Sequence, residues 1–200
     1  MFYKPYSSNH FTHAEIDAAI AMRTDHGLDH CDIASVELGL PAPVLRSIAE
    51  PRDEKIRPQS GHHAKFSGPF AVATALLGGG GLGVYLDDFT DAHAADSERP
   101  RLAAAVACVA DDACTGIFPH QFPAVLRVVT YRGTTLEVRI NAHRGGPQNP
   151  LSSEELGVKF SLNPSRALSA ADVSGLHNAA QSLPSRPGPL QLPASADQHR

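Results

Sequence analysis

The chain has no tryptophan and only three cysteines in 200 residues. Cys31, Cys108 and Cys114 form an odd set with no CxxC spacing. That excludes a disulfide framework and points to a reducing compartment. No run approaches the roughly 18 uninterrupted apolar residues of a membrane span. The N-terminus has neither a basic n-region nor an apolar h-region, so no signal peptide is expected. Lysine and arginine are scattered and the formal net charge is −4, which leaves no basic stripe for nucleic acid. The expectation is a cytoplasmic protein with neither a nucleic-acid nor a membrane partner.

Several catalytic signatures are also missing. There is no GxSxG elbow and no cysteine beside an obvious base, so nucleophilic acyl transfer has no support. Gly78 to Gly83 satisfies GxGxxG formally, but an alanine-rich segment precedes it where a dinucleotide site needs a strand. It reads as a helix terminus. Eleven histidines include the HxxH pair His10 and His13, the adjacent His62 and His63, and a cluster of His26, His30 and Cys31. None shows the i,i+4 pair with an acidic partner, or the paired cysteines, of a zinc site. No metal and no cofactor is expected.

What is present suffices for a core: 42% of residues are hydrophobic and 19% charged. Residues 12–27 read as a helix, with Thr12 and Glu15 as a capping box, Gly27 as the stop, and Ile16, Ala19, Ile20 and the stem of Arg23 on one face. "CDIASVELGL" alternates as a strand, with Ile33, Ser35 and Glu37 opposite Ala34, Val36 and Leu38. Residues 49–69 read as a loop leading to the Ala/Leu-rich helix "FAVATALL". Two short helices are expected over 86–105, the second passing into a strand at "VACVAD". Two β-branched runs flank Tyr131-Arg132-Gly133 as a hairpin. Ser152 or Ser153 caps another helix, and "SAADVSGLHNAAQSL" is one more. The fold class is α+β: a mixed domain over 1–150, C-terminal helices over 151–183, and a proline-rich tail over 184–200 expected to be disordered.

Three polar loops concentrate chemistry. "KPYSSNHFTH" holds a lysine, a phenol, an amide and two imidazoles. "RPQSGHHAKFSGP" holds Arg57, His62, His63 and Lys65. "HRGGPQNPLS" places Arg144 beside two glycines. Such loops suit carboxylate recognition, because lysine and arginine supply charge-assisted donors. The alternative is that their prolines and glycines make turns and their charges face solvent.

These same loops resemble a known family. "KPYSSNHFTHAEIDA" is similar to the K-P-Y-P-S-C-x-x-T-H segment of the 2-methylcitrate dehydratase (MmgE/PrpD) superfamily. "SGHHAKFSGPFAVATALLGG" resembles its D-A-K-F-S-L-P-Y-x-V-A-x-A-L segment, and "HRGGPQNPLSSEELGVKF" its R-G-[DG]-P-x-N-P-L-S-x-x-E-L-x-x-K-F segment. The resemblance runs from about Tyr3 to Ser182 and covers the family's smaller α+β domain plus helices that return to a large helical domain. It therefore implies a C-terminal portion. The helical domain would be supplied by a longer gene or a split-gene partner, and without it the isolated chain is expected to be inactive.

The resemblance further implies metal-independent chemistry on small di- and tricarboxylates: dehydration of a 2-methylcitrate-like acid in propionate metabolism, or isomerisation or epimerisation of a small dicarboxylate. A non-catalytic remnant is the other reading. Such a site needs a base near the α-carbon, fixed cations for the carboxylates and an acid for a departing hydroxyl. Lys4 and His13 carry over as catalytic residues; Tyr6, Asn9, Lys65 and Arg144 as substrate-binding ones. Ser7, Asn9 and Phe70 depart from the family pattern, which takes support from decarboxylation. An exposed apolar face is expected at "VKF", "RALS" and "VSGL", where the absent helices would dock, and a homodimer is a further expected partner arrangement. All this requires the front, middle and rear loops to converge on one wall.

Overall fold

The β-branched runs pair as their alternation suggests. The computed structural model describes residues 2–182; the expected tail lies outside them. The chain divides into two compact units, Met1–Pro150 and Leu151–Arg200. The first is built on a four-stranded sheet of order β2-β1-β3-β4, with β1 Ile33–Leu40, β2 Val106–Ala110, β3 Ala124–Thr130 and β4 Thr135–Ile140. β1 runs parallel to β2, matching Val36 to Val106, and antiparallel to β3, matching Leu38 to Leu126. β3 and β4 form the expected hairpin, whose turn needs the positive φ of Gly133 at 81°. Helices and a mixed sheet together make an α+β fold.

The alternation in β1 is interrupted at Gly39, which is buried between Leu38 and Leu40, and at Ile33. Val36, Leu38 and Leu40 are buried, but so is Ile33, two-residue spacing notwithstanding. A register irregularity between Ile33 and Ser35 supplies the extra residue that turns Ile33 inward, as a bulge does.

Helices cover the sheet. α1 (His13–Thr24) packs on β3, β4 and α5 (Gly68–Leu77), and α5 packs in turn on α7 (Glu98–Ala105). Every residue of α5 from Gly68 to Leu76 is buried, as expected of a helix apolar all round. Ser67 starts it by accepting the Phe70 N–H at 3.0 Å.

Three expectations need correcting. Thr12 and Glu15 form no capping box. Thr12 donates instead to the Asn9 carbonyl at 2.8 Å, and Asn9 caps the preceding 3-10 turn by accepting the Phe11 N–H at 2.9 Å. The segment taken as a loop contains α3 (Arg52–Ile56) and α4 (Gly61–Ala64), with α2 (Ala42–Ile48) before them. Prolines and charges hid helices of one turn, too short to show periodicity. α6 (Asp91–Ala95) was expected, whereas α8 (Asp112–Ile117) was not; Asp111 caps it by accepting the Cys114 N–H at 2.9 Å.

Glu15 is fully buried in α1, and neither carboxylate oxygen has a hydrogen-bond partner. It lies against Gly68, where a Cβ would stand 3.0 Å from Oε1. Burial pushes this carboxyl well above its ordinary 4.5. The sign follows: above pH 4.5 the unfolded chain releases a proton that the folded one keeps, so stability falls as pH rises. The loss is about 1.4 kcal/mol per pH unit until the folded group ionises. Glu15→Met should therefore raise the urea midpoint at pH 8 and converge on the parent near pH 4.5. A constant difference across that range would contradict this.

The second unit holds α9 (Ser153–Leu162) and α10 (Ala170–Ser182). Ser152 and Glu155 form a capping box at the start of α9. No residue of α9 is fully buried, only Val173 of α10 is, and Val158 stays 42% exposed. Phe160 meets His177 edge to face at 5.6 Å.

Candidate functional site

Main-chain hydrogen bonds bring the three polar loops together. The front loop is tied to the rear one where the Tyr3 N–H donates to the Gly145 carbonyl at 2.8 Å. Gly145 has φ 95°, and a Cβ there would stand 2.4 Å from the Tyr3 carbonyl, so only glycine permits this approach. The middle loop joins through Asn9, whose N–H donates to the Lys65 carbonyl at 2.8 Å. Lys55 holds the middle loop from behind, donating to the Ser47 and Phe66 carbonyls at 2.9 Å each.

The result is a concave pocket of about 460 Å³ lined by Lys4, Asn9, His10, His62, Lys65 and Phe66, with Ser7 and Ser8 along one side. Two ammonium groups from different loops share it with two imidazoles, His10 and His62. That donor set suits an anion with more than one carboxylate.

The protonation of the His10 imidazole can be assigned from its partners. His143 Nδ1 lies 2.8 Å from the Arg144 carbonyl, which can only accept, so Nδ1 carries the hydrogen. In the neutral ring, His143 Nε2 is then an acceptor, and His10 Nε2 at 2.9 Å must donate to it. His10 Nδ1 is left with the lone pair. Burial first, then the nearby His143 and Lys4, pushes the His10 imidazole down to about 4. At neutral pH His10 is thus an uncharged proton acceptor on the pocket wall.

His13 sits behind it, fully buried, with its ring 5.0 Å from His10, 5.4 Å from Tyr6 and 5.5 Å from His143. Burial, then the three neighbouring basic groups, pushes it down to about 2, with the Ser8 backbone pulling weakly the other way. A folded value below the ordinary 6.5 means that the unfolded chain takes up a proton which the folded chain refuses. Stability is therefore lost as pH falls below 6.5, by about 3 kcal/mol at pH 4 from His13 alone. Between 4.5 and 6.5 the His13 effect opposes the Glu15 effect, and the lowered His10 adds to the loss on the acid side. His13→Phe, which keeps a ring in the cluster, should make the acid limb in urea titrations shallower, leaving the part that His10 contributes; an unchanged limb would contradict the assignment.

Tyr6 and Arg144 form a separate network. The Tyr6 hydroxyl donates to Asp17 Oδ1. The Arg144 N–H donates to Asp17 Oδ2 at 2.7 Å, and its guanidinium donates to the Tyr6 oxygen at 2.5 Å and the Leu82 carbonyl at 2.7 Å. The guanidinium also lies over the Tyr6 ring, 5.5 Å from its centre. Burial, then the Asp17 charge, raises the Tyr6 phenol above its ordinary range. Burial likewise lifts the Asp17 carboxyl, against the bonds it accepts.

Of the residues singled out from sequence, Lys4, Asn9, His62 and Lys65 line the pocket. Tyr6, His13 and Arg144 do not; they lie beneath and beside it, tied to Asp17 or to the histidine cluster. Asn9 serves as a cap through its side-chain oxygen. His10, His143 and Asp17 were missed. His10 had a visible signal in the HxxH pair, whereas Asp17 and His143 had none, since their partners lie 127 and 133 positions away.

The MmgE/PrpD C-terminal domain profile matches residues 6–183. The chain belongs to the MmgE/PrpD family. Among curated proteins no match was found. In this MmgE/PrpD domain the departures from the family motif have identifiable places: Asn9 caps a turn on the pocket rim, and Phe70 is fully buried in α5.

Proposed function

We propose that this domain forms the carboxylate-binding wall of a lyase that dehydrates a 2-methylcitrate-like di- or tricarboxylate. The observation that carries the reading is the presence of Lys4 and Lys65 in one pocket beside a neutral His10. The two ammonium groups pair with substrate carboxylates. His10 Nδ1 takes the α-proton, and the relay through His143 Nε2 to the Arg144 carbonyl holds its tautomer. A bound carboxylate offsets the Lys4 charge that suppresses His10, so the base strengthens as substrate arrives. His13, Tyr6 and Arg144 act as positioning residues.

A helical domain is proposed to close the pocket and supply the acid for the departing hydroxyl. Exposed to water, the lysines keep only a fraction of their electrostatic worth. Epimerisation of a small dicarboxylate is the second reading. It is favoured by the Tyr6 phenol being held by Asp17 and Arg144, away from the pocket. The test is reconstitution with a helical partner domain and assay of 2-methylcitrate loss alongside α-proton exchange in deuterated buffer. Loss of water supports dehydration, and exchange without loss supports epimerisation. Neither event in a closed, reconstituted protein identifies a non-catalytic domain.

A further inference from the structure

A second cluster of ligating groups lies apart from the pocket and shares no residue with it. Asp29, His30 and Cys31 precede β1, and each offers a ligand atom within 4.8 Å of the others. Glu98, the first residue of α7, stands outside that mutually close trio but approaches the same ring: its Oε1 lies 3.1 Å from His30 Nε2. The Cys31 sulfur lies 3.5 Å from that same nitrogen. On the other side of the ring, His30 Nδ1 lies 3.5 Å from Asp29 Oδ1. That oxygen is itself fixed by the Cys31 N–H at 2.8 Å.

We propose that His30, Cys31 and Glu98 form a Zn²⁺ site with Asp29 as the orienting partner of the histidine. The two separations measured from His30 Nε2 support it. Tetrahedral zinc with Zn–N of about 2.05 Å, Zn–S of about 2.3 Å and Zn–O of about 2.0 Å separates N from S by about 3.6 Å and N from O by about 3.3 Å. The observed 3.5 and 3.1 Å match both. The donor types select the metal: a thiolate and an imidazole favour zinc and its neighbours over magnesium or calcium, which prefer oxygen alone. A carboxylate on the far ring nitrogen is the usual device for presenting Nε2 to a metal. The site is reachable, since Cys31 is exposed while Cys114 is buried and Cys108 partly so. Three protein ligands leave a fourth position for water. Binding releases the Cys31 thiol proton to solvent and joins the turn before β1 to α7. Spacing along the chain could not reveal this, because Glu98 lies 68 positions from His30.

The experiment is titration of the untagged, reduced full chain with Co²⁺, followed by Zn²⁺ displacement. One equivalent should bind with thiolate-to-cobalt charge-transfer absorption and the intense d–d bands of tetrahedral cobalt, and Zn²⁺ should abolish both. Cys31→Ser should remove the charge-transfer band. Zn²⁺ binding by Glu98→Gln and Asp29→Asn should weaken roughly 10- to 100-fold. Absence of stoichiometric uptake, an octahedral spectrum, or a charge-transfer band that survives in Cys31→Ser would each overturn the site. The wild-type spectrum decides the matter even if a variant folds poorly.

Discussion

Lys4→Ala is expected, on the proposed dehydratase reading, to lower kcat/KM for 2-methylcitrate loss by roughly 100-fold or more in the reconstituted protein. Lys4 lines the pocket and bears on the basicity of His10, so its removal acts twice. It deletes a charge-assisted contact to a carboxylate, and it relieves the suppression of His10. These effects separate kinetically. A pure clamp raises KM with kcat preserved, whereas a role in the transition state lowers kcat and kcat/KM together. The pH profile adds a third readout: the limb governed by His10, pushed down to about 4 in the free protein, should move upward in Lys4→Ala. Lys65→Ala should raise KM without moving that limb. Full turnover in Lys4→Ala would remove this lysine from the mechanism. Binding of citrate to the wild-type chain, lost in the double variant, tests the carboxylate wall separately from turnover.

Asp17→Ala is expected to destabilise the first unit by about 3–5 kcal/mol, as for loss of one partner from a buried ion pair. Its carboxylate joins three parts of the chain: α1 itself, Tyr6 of the front loop, and the Arg144 backbone of the rear loop. Alanine leaves the Arg144 N–H without its acceptor and a guanidinium beside Tyr6 without its counter-charge. Asp17→Asn keeps one acceptor, for the Arg144 N–H, turns an amide NH2 toward the Tyr6 oxygen, and should cost less, about 1–2 kcal/mol. The urea midpoint measures both. Because the network also sets the front loop, Asp17→Ala should weaken citrate binding even at temperatures where the fold survives. A destabilisation below about 1 kcal/mol, inside the usual range for surface changes, would mean that the loops are held chiefly by the Tyr3–Gly145 and Asn9–Lys65 backbone bonds.

The histidines show how far residue type carries without geometry. His10 and His13 stand in one HxxH pair, yet one lines the pocket and the other is sealed within α1. The difference is the 3-10 turn over His10–Thr12, which rotates the backbone between them. Glu15 makes the same point: its spacing from Thr12 suggested a capping-box partner, and packing of α1 on α5 placed it in the core.

Local pattern determined what local pattern can. Alternating β-branched residues specified β1 and the β3–β4 hairpin, and an all-apolar run specified a buried α5. Three short motifs specified the family, since periodicity and turn chemistry act between residues a few positions apart. Tertiary structure alone decided which charged groups share a surface. His10 meets His143, Arg144 meets Tyr6, and Glu98 meets His30 across separations of 133, 138 and 68 positions. No periodicity links such pairs. Their proximity is fixed only when the sheet and helices bury their apolar faces, and burial then sets which of these groups keeps its proton.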